Sequence, residues 1–135
     1  MKKIISILLV IIWMIVIFYF SNQVATVSSS QSGFITNLII KIFSVQNEST
    51  IQFIIRKLAH FTEYLILGIL VLNMLRCYKP KDIIILAILI CILYACSDEI
   101  HQIFIQGRAG QLKDVLIDTC GSILGIFSFK KIKKV

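Results

Sequence analysis

Two histidines and a group of carboxylates recur at helical spacing inside otherwise apolar stretches of this 135-residue chain. The first stretch reads Arg56-Lys57-Leu58-Ala59-His60-Phe61-Thr62-Glu63-Tyr64. Arg56, His60, Glu63 and Leu67 fall at i, i+4, i+7 and i+11, which is one helix face. The second reads Tyr94-Ala95-Cys96-Ser97-Asp98-Glu99-Ile100-His101-Gln102, with Asp98 one turn from Tyr94 and one turn from His101 and Gln102. The third places Asp114, Asp118, Gly121 and Gly125 on one stripe. His60 or His101 beside a carboxylate can act as a general base, with Glu63, Asp98, Glu99, Asp114 and Asp118 as the acids at hand. Arg56, Lys57 and Arg108, joined by Gln102, are the expected substrate contacts, the guanidinium groups holding phosphate or carboxylate in bidentate fashion. Ser97 lacks a Gly-x-Ser-x-Gly setting and is a weak nucleophile candidate. His60 with Glu63, and Asp98 with His101, are i, i+3 pairs able to chelate a divalent metal, as in carboxylate bundles. The order His-x-x-Glu is the reverse of the usual one, and the metal-free pocket is the favoured expectation.

The elements that must position these residues are membrane helices. The chain is 58% hydrophobic and 16% charged, against roughly a quarter charged in a soluble domain. Its mean hydropathy of +0.91 excludes an ordinary soluble globule and a disordered chain. Apolar stretches predict four helices, at 4–20, 51–75, 82–104 and 112–129. The expected fold is a single all-α domain over 1–135, an integral membrane four-helix bundle. Lys2, Lys3, Arg76, Lys79, Lys81, Lys130, Lys131, Lys133 and Lys134 cluster at one side, which predicts N-in/C-in orientation. The net charge of +7 therefore reads as topology anchoring rather than as nucleic-acid binding. Residues 4–20 read as a retained helix rather than a cleaved signal, because no Ala-x-Ala site follows. Residues 33–45 carry Phe34, Leu38, Ile42 and their neighbours at helical spacing, which predicts an amphipathic helix on the outer interface. Cys77, Cys91, Cys96 and Cys120 have neither zinc-site spacing nor the loop placement of a disulfide framework.

Ionisable residues within a spanning helix carry an insertion penalty of about 2.5–3.5 kcal/mol each. Counted from the cytoplasmic helix ends at 1.5 Å per residue, Glu63 and Asp118 lie about 18 Å up, His60 about 22 Å, and Asp98 and Asp114 about 24 Å. Three helices thus place their polar residues in one layer of the outer leaflet. The expectation is a single pocket opening outward.

The motifs Arg56-Lys57-x-x-His60-Phe61-x-Glu63-Tyr64-x-x-x-Gly68, Ser97-Asp98-Glu99-x-His101-Gln102-x-Phe104, Gly107-Arg108 and Asp114-x-x-x-Asp118-x-x-Gly121, in this order, resemble the VanZ-like family, named for a teicoplanin-resistance protein. The resemblance covers about residues 52–126. Gln106 stands where that family usually has proline. The resemblance implies a small multi-pass protein of the bacterial cell membrane, with a link to glycopeptide resistance or the cell envelope, and supplies no reaction.

Three functional readings follow. In the first, the chain is an enzyme acting on a lipid-linked or cell-envelope substrate at the outer leaflet. In the second, the pocket binds a lipoglycopeptide or envelope lipid without chemistry. In the third, carboxylates and histidines relay protons or ions, although the apolar inner helix halves offer no polar path onward. The competing structural reading is a buried ion network that only fixes packing; the glycine stripe already serves that purpose. Expected partners are membrane lipids and a lipid-linked or glycopeptide ligand. No nucleic acid is expected, and the oligomeric state stays open.

Overall fold

A computed structural model describes residues 2–22, 33, 48–105 and 110–133. Those residues form four helices: α1 (Lys2–Ser21), α2 (Glu48–Tyr78), α3 (Ile83–Gln102) and α4 (Leu112–Lys133), with no strand among them. The expected interfacial helix at 33–45 falls outside the described residues apart from Gly33, and so do Gln106 and Arg108.

Three helices are long and apolar enough to cross a membrane: Lys2–Ser21, Thr50–Tyr78 and Ile83–Gln102. α1 is apolar on every side and leaves Ile4, Leu8, Ile12 and Ile15 exposed, as a lipid-facing helix does. The fourth expected crossing, α4, is long enough at 22 residues but is not among these three, on composition. Lys113, Asp114 and Asp118 stand at the start of α4, and the apolar run after them ends at Lys130.

Side-chain contacts fix how the helices run. The Lys3 ammonium sits 5.1 Å from the Tyr78 ring, and Trp13 Nε1 donates to the Glu63 carbonyl at 2.9 Å, so α1 and α2 are antiparallel. Tyr94 Oη donates to the Met14 carbonyl at 2.6 Å, and Asn22 meets His101 at 3.2 Å, so α1 and α3 run parallel. α2 and α4 also run parallel and share the most extensive contact of any helix pair. Their seam is made by glycines. A Cβ at Gly121 would collide with the Phe61 carbonyl, one at Gly125 with the Leu65 carbonyl, and one at Gly68 with the Ser122 carbonyl. Only residues without a side chain allow two backbones this close. Farther along, the Arg76 guanidinium lies 5.6 Å from the Phe129 ring. α4 thus accompanies α2 over most of its length despite its charges.

The buried core joins Leu67, Val71, Leu72 and Leu75 of α2 to Ala87, Cys91 and Ala95 of α3 and Ile126 of α4, with Val10 and Ile17 of α1 at its edge. In the turn between α2 and α3, Lys79 and Asp82 adopt left-handed backbone with φ of 51° and 52°, on either side of Pro80.

Candidate functional site

The buried face of α2 continues past Leu67 to Tyr64 and then to a half-buried His60, following the i, i+3, i+4 periodicity that buries the apolar residues below. At the same level, α3 turns Asp98, Glu99 and Gln102 inward and α4 turns Asp114 and Asp118 inward. Ligand-type atoms of His60, Asp98 and Asp118 lie within 4.8 Å of one another, so one residue from each of three helices meets at one point. His60 Nδ1 is 3.9 Å from Asp118 Oδ1, and Asp118 is fully buried.

The partners of this cluster are few. Gln102 Nε2 donates to Asp98 Oδ2 at 3.2 Å. The backbone N–H of Gln111 donates to Glu99 Oε2 at 2.8 Å. This return of the chain onto α3 needs Gly110, whose Cβ, if present, would stand 2.6 Å from the Glu99 carbonyl oxygen. Lys57 Nζ donates to Asp114 Oδ1, which pairs this lysine with the first acid of α4. Both oxygens of Asp118, Asp98 Oδ1, Glu99 Oε1 and the Tyr64 hydroxyl are buried with no hydrogen-bond partner among the described residues. A buried polar atom without a partner is destabilising by about 1–3 kcal/mol, and more if charged. Each such atom calls for an explanation, whether a functional role, an ordered water or an ion.

Not every candidate from the sequence joins the cluster. Asp98, Asp118 and His60 meet directly, with Glu99 and Gln102 beside them and the Lys57–Asp114 pair at the rim. Glu63 is half-buried and lines a separate lateral cleft of about 400 Å³ with Trp13, Ile55, Leu58, Thr62 and Ile66. His101 turns toward α1, where Asn22 Oδ1 is 3.2 Å from its Nε2 and the Phe18 ring lies 4.6 Å away, centroid to centroid. Arg56 is half-buried on α2, and Arg108 lies outside the described residues. The ligand-type cluster is therefore assembled between helices rather than from i, i+3 pairs along one helix. Tyr64 joins the site although the sequence alone does not mark it as a functional residue. Its i+4 spacing from His60 is the available signal, and its aromatic bulk reads as packing.

A family profile described as VanZ/LLP1 matches residues 6–133, nearly the whole chain. Comparison with curated proteins gives no significant match, and neither does comparison with solved structures.

Proposed function

Since the chain belongs to the VanZ/LLP1 family, we propose that it is a multi-pass protein of the bacterial cell membrane whose outward-facing polar pocket acts on a lipid-linked or cell-envelope substrate. In this reading the four helices form a bundle with both termini in the cytoplasm, and α4 is the fourth crossing. Its acids are tolerated because they face α2 and α3 rather than lipid, which is how intramembrane charges are usually accommodated.

The observation that carries the proposal is the convergence of His60, Asp98 and Asp118 from three helices, with Glu99 and the Tyr64 hydroxyl buried in the same layer. One protonatable group of this set takes the proton from an attacking hydroxyl or water as it adds to the head group. Another returns a proton to the departing oxygen. Arg56, Lys57 and Arg108 supply anion contacts at the mouth. The buried apolar residues Val71, Leu72, Leu75 and Ile126, farther along α2 and α4, weigh against a proton or ion path.

A second reading, binding without chemistry, is favoured by the lateral cleft. Its wall of Trp13, Ile55, Leu58 and Ile66 suits an acyl chain, with Glu63 and Thr62 at hand for a polar group. A lipoglycopeptide such as teicoplanin, or an envelope lipid, has that composition. Antibiotic resistance would then follow from sequestration.

The test compares intact cells expressing wild type, His60→Ala, Glu63→Ala and Asp118→Asn at matched protein levels. The teicoplanin inhibitory concentration and the envelope lipid profile by mass spectrometry are the readouts. The expected result is a changed lipid species with wild type that disappears with His60→Ala and Asp118→Asn. Resistance that depends on Glu63 with no lipid change would select the binding reading. Mutants that behave as wild type in both readouts would remove both.

A further inference from the structure

We propose that His60, Asp98 and Asp118 form a binding site for one divalent first-row transition-metal ion of the Mn²⁺, Fe²⁺, Co²⁺ or Zn²⁺ class. This deepens the reading above and rests on it for its catalytic meaning, whereas ion binding itself stands on the geometry.

Asp118 is wholly buried and Asp98 is 3% exposed, yet three of their four carboxylate oxygens have no hydrogen-bond partner among the described residues. Glu99 adds a third buried acid beside them. Carboxylates so placed repel one another and lose hydration, so they require a counter-charge or protons. Lys57, which could have supplied that charge, is engaged by Asp114 at the rim. Around a single ion with bonds of about 2.0–2.2 Å, neighbouring ligand atoms stand roughly 3–4 Å apart. The three ligand atoms here already lie within 4.8 Å of one another, and rotation of two aspartate side chains closes the difference. A second observation points to the same place. The Tyr64 hydroxyl is fully buried, has no hydrogen-bond partner among the described residues, and has Asp98 and Asp118 as its foremost charged neighbours.

The donor chemistry narrows the ion. One imidazole with two carboxylates suits the nitrogen- and oxygen-binding transition metals; calcium and magnesium prefer oxygen alone. No cysteine belongs to the cluster, so copper(I) and thiolate zinc chemistry do not apply. Three protein ligands leave positions for water or a substrate oxygen, and an ion so held supplies a Lewis acid to the pocket.

The experiment uses the full chain in detergent micelles, stripped with a chelator and titrated with Mn²⁺, Zn²⁺ and Co²⁺ by calorimetry and, for Co²⁺, by visible absorption. One ion per chain is expected, with a Co²⁺ spectrum free of thiolate charge-transfer bands. His60→Ala and Asp118→Asn should each weaken binding at least ~100-fold, while His101→Ala, outside the cluster, should leave the affinity within about 3-fold of wild type. Should a variant fail to fold, the wild type alone decides: Zn²⁺ or Mn²⁺ raises its Tm and chelator reverses the rise. Absence of stoichiometric binding, thiolate bands in the Co²⁺ spectrum, or binding that survives both cluster variants overturns the proposal. Because no substrate enters the titration, the two readings fail separately. A bound ion with unchanged envelope lipids removes the enzyme and leaves the site; changed lipids with no ion remove the site and leave the enzyme.

Discussion

The two halves of the α2–α4 helix pair are built on opposite terms. From Phe61 and Gly121 onward toward the C-terminal ends, Gly121, Gly125 and Gly68 bring the backbones together, and Leu72, Leu75 and Ile126 fill the space beside them. Every buried group there is apolar or served by its own helix; Ser122, for instance, donates to the Thr119 carbonyl at 2.8 Å. Toward the N-terminal ends, the same two helices set a half-buried His60 against a fully buried Asp118 and leave both Asp118 carboxylate oxygens without a hydrogen-bond partner among the described residues. One half maximises packing. The other holds buried polar atoms without hydrogen-bond partners among the described residues. Proteins concentrate such locally unfavourable arrangements at functional sites, and the glycine seam supplies the rigidity that lets this one persist.

The sharpest way to break the contrast is at the seam. Gly125→Val drives a branched side chain into the Leu65 carbonyl, where neither backbone can yield cheaply. The expected loss is about 3 kcal/mol or more, read as failure to recover monodisperse helical protein by size exclusion and circular dichroism. A normally folded Gly125→Val protein would show that the two backbones can separate without loss of the fold.

In the polar half the expected sign reverses. Asp118→Asn replaces a buried ionisable carboxyl by a neutral group of the same shape, so chelator-treated protein should keep its Tm or gain a few degrees as the wild-type lipid change disappears. A fall in Tm comparable to that of a core truncation would instead make Asp118 part of the packing.

The smallest effect is expected where a polar group is satisfied. Tyr94→Phe deletes the 2.6 Å bond from the Tyr94 hydroxyl to the Met14 carbonyl. It should lower stability by about 0.5–1.5 kcal/mol and leave the lipid profile as in wild type. A lost lipid change at unchanged Tm would extend the functional layer to the α1–α3 contact.

Much of this is legible in the sequence directly. Long apolar runs mark α1, α2 and α3, because hydrophobicity sustained over about 20 residues matches the length of helix that crosses the hydrocarbon core of a bilayer. Helical spacing places Asp98 beside Gln102, and they are indeed hydrogen-bonded. Periodicity also places Asp114, Asp118, Gly121 and Gly125 on one stripe, and all four are buried in α4. Less legible is the division of α2. Arg56, His60, Glu63 and Leu67 share a face, yet that face is broad enough to front two neighbours. His60 meets Asp118 of α4, while Glu63 borders the cleft with Trp13 of α1. His101 parts from Asp98 in the same way, toward Asn22 and Phe18.

The sequence by itself therefore determined which of the described segments are helical and supplied the apolar runs of the three that can cross a membrane, although it also predicted a crossing at 112–129 that is not among them. Those properties depend on local composition and on the fixed 1.5 Å rise and 3.6-residue turn of the helix. Tertiary structure alone decided that α4 lies along α2 in spite of its charges, that the glycines meet the carbonyls of Phe61 and Leu65, and that His60, Asp98 and Asp118 converge. A helix's periodicity states which residues share a side. Which helix that side meets depends on close packing between segments far apart in the chain, and no local pattern encodes it.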